Sequence, residues 1–116
     1  MRLKDIVEAL ELEVVTGAEW LGNEVNGGYA SDLMSDVLAN SQKGDLWVTL
    51  QIHPNIVAVA SMRELAGIIL INGRRPEKET EERATQEKIP ILVSRLPAFE
   101  LIGRLYQLGV SGMRDA

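Results

Sequence analysis

The chain has 116 residues, 46% of them apolar and 25% charged, with a formal net charge of −5, which describes one domain large enough to bury a core. The acidic balance, the low aromatic content and the lack of a basic cluster interleaved with aromatics argue against nucleic acid or an anionic membrane as partners. With no cysteine and one histidine, His53, the chain can form no disulfide, thiolate metal site, Cys nucleophile or His-rich zinc site, and no metal or cofactor is expected.

The opening "MRLKDIVEAL" carries charges through its first turns, unlike a secretory leader. No apolar run reaches the roughly 20 residues that span a bilayer, so a cytoplasmic location is expected. Leu3, Ile6, Val7 and Leu10 have the one-face spacing of a short helix. A strand is expected over Leu12–Gly17, then an irregular polar stretch anchored by Trp20 and Leu21. Asn26-Gly27-Gly28 reads as a turn requiring positive φ, and Ser31 and Asp32 as N-caps for a helix over Leu33–Asn40.

From Leu46 the pattern becomes regular. Strands are expected over Leu46–Ile52, Gly67–Gly73 and the "IPILVSR" run. Between them lie a helix opened by Pro54, with Ile56, Val57, Val59, Ala60 and Leu65 on its apolar face, and a strongly polar helix between Glu77 and Lys88. Glu79 and Arg83 should pair on that helix at i,i+4. Pro97 opens a last helix, with Phe99, Ile102, Leu105 and Tyr106 at helical spacing. Repeated strand–helix units with short connections imply right-handed crossovers and parallel pairing. The strands lack polar alternation, so both faces should be covered. The expected fold class is therefore α/β, a layered α/β/α domain with a mostly parallel central sheet. It should span residues 1–110, with 111–116 as a flexible tail.

Neither phosphate-binding fingerprint occurs. Gly27-Gly28 lacks the following Lys-Ser/Thr of a P-loop, and no G-x-G-x-x-G is present. Without these, and without a recognisable nucleophile–base pair, the chain does not read as an enzyme, and no catalytic residue is assigned. Ligands of open α/β sheets gather at the C-terminal ends of strands. The residues placed there are His53, then Asn72, Gly73, Arg74 and Arg75, then Ser94 and Arg95. The candidate ligand-binding set is Asn26, Gly27, Gly28, His53, Asn72, Gly73, Arg74 and Arg95, suited to a phosphate or carboxylate. Two readings stay open for the glycine pair, a bare turn or a ligand cradle, and the arginines could equally be solvated loop residues.

The segments "LKDIVEALELEVVTG", "EVNGGYASDLMSDVLAN", "GDLWVTLQIHPNIVAVA", "GIILING" and "IPILVSRLPAFELIGRLYQLG" together resemble a stand-alone DRTGG domain over essentially the whole chain. The family motif ends in two glycines, matched by Gly27-Gly28, and the chain departs from it in the polar residues before them. The resemblance implies a fold similar to the N-terminal domain of HPr kinase/phosphorylase, without its kinase site. It also implies a regulatory module that forms a homodimer, serves a partner enzyme and takes an adenine nucleotide as ligand. A protein–protein interaction module with no small-molecule ligand is the alternative. Trp20, Met34, Val37 and Leu38 would then be its contact patch.

Overall fold

The computed structural model describes residues 1–113. Five α-helices, α1 (Leu3–Leu10), α2 (Met34–Asn40), α3 (Asn55–Met62), α4 (Lys78–Glu87) and α5 (Ala98–Gln107), surround five strands: β1 (Glu13–Thr16), β2 (Gly27–Ala30), β3 (Asp45–Thr49), β4 (Gly67–Leu70) and β5 (Ile91–Val93). The strands form one sheet in the order β1-β5-β4-β3-β2. From β2 to β5 every pair is parallel, and each step moves one place in the same direction. Successive right-handed crossovers in one direction put their helices on the same face.

The packing agrees. Val37 of α2, Ile56 and Ala60 of α3 and Ala84 of α4 bury against Trp47, Ile68, Leu70, Ile91 and Val93. The alternate residues Leu46, Val48, Ile69 and Leu92 point to the opposite face, which α1 and α5 cover with Leu3, Ile6, Leu101 and Leu105. This period-2 division of apolar strands between two covered faces is the layered α/β/α domain expected from the sequence.

β1 joins beyond β5 and runs antiparallel to it, with Glu13 opposite Val93 and Thr16 opposite Ile91. Its register breaks between Val14 and Thr16, and the buried Thr16 hydroxyl repairs the gap. Thr16 Oγ1 accepts the Ile91 N–H at 2.9 Å and donates to the Ile89 carbonyl at 2.8 Å. Gly17 ends the strand at φ 79°, where a Cβ would stand 2.7 Å from Pro90 Cα.

Several local expectations are corrected. Gly27 and Gly28 open β2, and neither has positive φ. Gly28 donates its N–H to the Ser111 carbonyl at 3.0 Å, and a Cβ there would meet Val110 at 3.4 Å, an ordinary contact. The left-handed glycine nearby is Gly44, packed against the Asn26 side chain. Asp32 does not cap α2. Its Oδ1 accepts from Thr49 Oγ1 at 2.8 Å and the Leu50 N–H at 2.7 Å, tying the loop to the end of β3. On α5 the buried residues are Leu101 and Leu105, whereas Phe99 and Tyr106 are exposed. Val37 is fully buried, which removes it from the suggested contact patch. Of the expected tail, Ser111 is bonded to β2, and Gly112 donates its N–H to the Tyr106 hydroxyl at 3.3 Å. Residues 114–116 lie outside the described residues.

Candidate functional site

Parallel pairing from β2 to β5 brings the strand C-termini to one rim of the sheet. β1 runs the other way, so its first residue, Glu13, joins that rim beside Val93. The end of β5 is also where the chain passes from the α4 face to the α5 face. Elements of both layers therefore flank it, and a cleft of about 540 Å³ opens there. Its polar walls are Arg75, Arg95 and Arg104, with Glu11, Glu13 and the buried Ser94.

Asn72 and Gly73, both left-handed at φ 56° and 67°, turn the chain out of β4. Asn72 donates its N–H to Leu96 O at 3.0 Å and Gly73 to Ser94 O at 2.7 Å, so these amides are spent on joining β4 to β5. Ser94 Oγ accepts the Leu96 N–H at 3.1 Å and keeps its proton to donate.

Arg75 grips Glu13 with both ends of its fork, Nη1 to Oε1 at 2.9 Å and Nη2 to Oε2 at 2.7 Å. That pair holds the Glu13 carboxyl below the usual carboxylate range, helped by the field of Arg95, and raises Arg75 in turn. Arg104 pairs within its helix, Nε to Glu100 Oε2 at 3.2 Å. A planar, bidentate guanidinium suits carboxylate or phosphate oxygens equally. Glu13 therefore occupies the kind of position on Arg75 that a ligand's oxygens would take.

Of the residues chosen from the sequence, Gly73 and Arg95 line the cleft, and Asn72 lies in the same turn. Arg74 is exposed beside it, outside the lining. His53 sits on the same rim at the α3 entrance, its Nδ1 accepting the Asn55 N–H at 3.0 Å, and does not line the cleft. Asn26, Gly27 and Gly28 lie at the opposite rim, where β2 starts, so they cannot share a site with the others. Asn26 borders a separate depression of about 310 Å³ whose walls carry Glu24, Glu64 and Lys43, the last two paired at 3.5 Å.

The cleft residues not chosen, Glu11, Glu13, Arg75, Ser94 and Arg104, come from β1, α5 and the loops between. Arg75 and Ser94 are placed at strand ends by the sequence without entering the chosen set, whereas Glu11, Glu13 and Arg104 carry no such signal. Elsewhere, Tyr29 Oη lies 2.9 and 2.8 Å from the two Asp36 oxygens, and Asn40 Nδ2 donates to Asp36 Oδ1 at 2.8 Å. Asn40, then Tyr29 and Ser31, lower the Asp36 carboxyl, while Asp36 raises the Tyr29 phenol. A phenol held protonated this way braces α2 on β2. Among the described residues, no group of three or more His, Asp or Glu is placed to hold a metal ion.

In overall architecture the chain matches the crystal structure of the CBS and DRTGG domains of the regulatory region of Clostridium perfringens pyrophosphatase, complexed with its activator diadenosine tetraphosphate. The TM-score is 0.73 at 18% identity, over 95% of this chain and 47% of that chain. The fold is DRTGG-like. The chain spans about half the length of that regulatory region, and at such identity the likeness is one of fold. No protein-family model matches the chain, and no curated protein matches it either. No helix among the described residues is long and apolar enough to cross a membrane.

Proposed function

We propose that the chain is a non-catalytic regulatory module, self-associating and able to hold a small anionic ligand, an adenine nucleotide by preference, in the cleft at the end of β5. One observation carries this reading: Arg75, Arg95 and Arg104 converge on one recess, and Glu13 serves Arg75 as an internal counter-ion. The recess lies within the roughly 300–1,000 Å³ range of ligand pockets. It also lies where open α/β sheets bind ligands, outside the strand C-termini at the point where the chain changes face. The pyrophosphatase region of like fold is regulatory and was crystallised with an adenine dinucleotide, which supports both the class of role and the class of ligand.

In this reading the module resembles the N-terminal domain of HPr kinase/phosphorylase and answers to a partner enzyme. Arg95, Arg75 and Arg104 grip phosphate oxygens, Ser94 donates a hydrogen bond, and the Asn72-Gly73 turn shapes the wall. Calorimetric titration with inorganic phosphate, AMP, ATP and diadenosine tetraphosphate tests it. Saturable heat from at least one nucleotide, reduced in Arg95→Ala, is the expected result. Silence from every compound at millimolar concentration overturns the ligand half. The alternative, an interaction module without a ligand, is favoured by one feature: Phe99 is 92% exposed on α5.

A further inference from the structure

Among the described residues, four other than glycine take the left-handed conformation, Glu11, Glu64, Asn72 and Lys88, which disfavours most side chains other than short polar ones. Three of them have a local reason to be there. Asn72 is a residue type that tolerates the conformation. Glu64 is paired with Lys43 at 3.5 Å. Lys88 ends α4 with the positive charge that a helix C-terminus favours, and its ammonium lies 5.2 Å from the centre of the Trp20 ring. Glu11 has none of these. At φ 51° it caps the C-terminus of α1, where the helix dipole opposes a carboxylate. That carboxylate takes part in no hydrogen bond or ion pair among the described residues. Glycine at this place would relieve the backbone, and any neutral residue would relieve the charge. Nothing within the chain uses the Glu11 carboxylate, and Glu11 lines the cleft at the end of β5.

We propose that Glu11 sets the specificity of that cleft by accepting hydrogen bonds from the vicinal hydroxyls of a ribose, so that the ligand class is a ribonucleotide rather than a deoxyribonucleotide or a bare phosphate. This inference rests on the nucleotide-binding reading of the cleft and deepens it. Glu11 and Glu13 stand two residues apart with the buried Leu12 between them, and both line the cleft. Glu13 is neutralised by the Arg75 fork, and Glu11 is not. The cleft is therefore cationic along its arginines and anionic at Glu11. A ligand that is anionic throughout, such as pyrophosphate, is repelled by the second feature while the first attracts it. A ligand with phosphate at one end and neutral donors at the other satisfies both. An ionised carboxylate only accepts, through two oxygens. In an adenine nucleotide the ribose diol offers two adjacent O–H donors, whereas the amino group of the base stands beside ring nitrogens that are themselves acceptors. An acidic residue takes a ribose hydroxyl in the same way in dinucleotide-binding sheets.

Calorimetric titration of the full chain with AMP, 2′-deoxy-AMP, GMP and inorganic phosphate, for the wild type and Glu11→Gly, tests it. The glycine variant relieves the left-handed backbone, so its thermal midpoint should equal or exceed that of the wild type, and lost discrimination then does not come from misfolding. The wild type is expected to bind AMP at least about fivefold tighter than 2′-deoxy-AMP, the effect of one exposed charge-assisted hydrogen bond. In Glu11→Gly the two should bind alike. AMP should weaken by at least the same factor, while inorganic phosphate binds as well as before or tighter, because a repelling charge is gone. A residue that merely held the fold would move all these ligands in one direction. Equal binding of AMP and 2′-deoxy-AMP by the wild type overturns the inference and leaves the nucleotide reading standing. So does a variant that keeps the preference, or one that changes only the ratio of AMP to GMP, which would put Glu11 on the base. Silence from every nucleotide at millimolar concentration overturns both.

Discussion

Replacing Thr16 with valine keeps the shape of the side chain and removes the hydroxyl that closes the β1–β5 ladder. That hydroxyl serves the Ile91 N–H and the Ile89 carbonyl, and Thr16, Ile89 and Ile91 are all buried. Each buried polar group left unpaired costs about 1–3 kcal/mol. Two such groups, less the small gain from burying a methyl in place of a hydroxyl, set the expected loss at about 2–4 kcal/mol. For a chain of 116 residues, the unfolding entropy of about 2 cal/mol/K per residue makes 1 kcal/mol worth about 4 °C, so the midpoint should fall by about 8–16 °C. Urea unfolding read by Trp fluorescence measures the loss directly. Thr16→Ser, which keeps the hydroxyl, is the control and should lose much less. A valine variant within experimental error of wild type, or equal to the serine variant, would refute the placement of β1 along β5. The acidic wall of the cleft would go with it.

Other expectations follow from the same geometry. Gly17→Ala forces a side chain into Pro90 at positive φ and should cost about 1–3 kcal/mol in the same unfolding assay. Arg95→Ala and Arg104→Ala should each weaken nucleotide binding at least about threefold, while Lys78→Ala, outside the cleft, should leave it unchanged in calorimetry. Glu13→Gln frees Arg75 and should tighten binding by up to about fivefold; weaker binding would mean that Glu13 orders the site instead. The Glu13 carboxyl titrates below its ordinary value of 4.5, so the Arg75 pair adds stability above that pH and loses it as pH falls through the lowered value. Thermal midpoints of wild type and Glu13→Gln should therefore differ near neutrality and converge in acid.

The layered sheet was legible because its strands are uninterrupted apolar runs, such as Leu46–Val48 and Ile68–Ile71, separated by helix-length segments. The direction of β1 was not legible. Four residues, Glu13–Thr16, with a register break at their centre carry no pattern that distinguishes antiparallel pairing from parallel. With that direction unknown, Glu11 and Glu13 could not be assigned to the rim of Arg75 and Arg95. The glycine pair misled for a related reason. Asn-Gly is a strong turn signal in a chain read locally, but here Gly27 and Gly28 are strand residues paired with Asp45 and Leu46 of β3, a long-range contact that no local pattern carries. On α5 the spacing of Phe99, Ile102, Leu105 and Tyr106 was helical, yet it straddles two faces, and only the sheet beneath decides which face is core. Arg95 and Gly73 could be placed beside one cleft from the sequence because the C-terminal ends of successive parallel strands share one rim.

The central claim is that an anion binds between the ends of β4 and β5 and the start of β1. Backbone amide shifts followed by NMR during titration with diadenosine tetraphosphate, and with inorganic phosphate alone, test it most directly. Saturable shifts are predicted at Gly73, Ser94, Arg95 and Glu11 through Glu13, with Asn26 through Gly28 unmoved. Shifts confined to that opposite rim, or none at any residue, would contradict it.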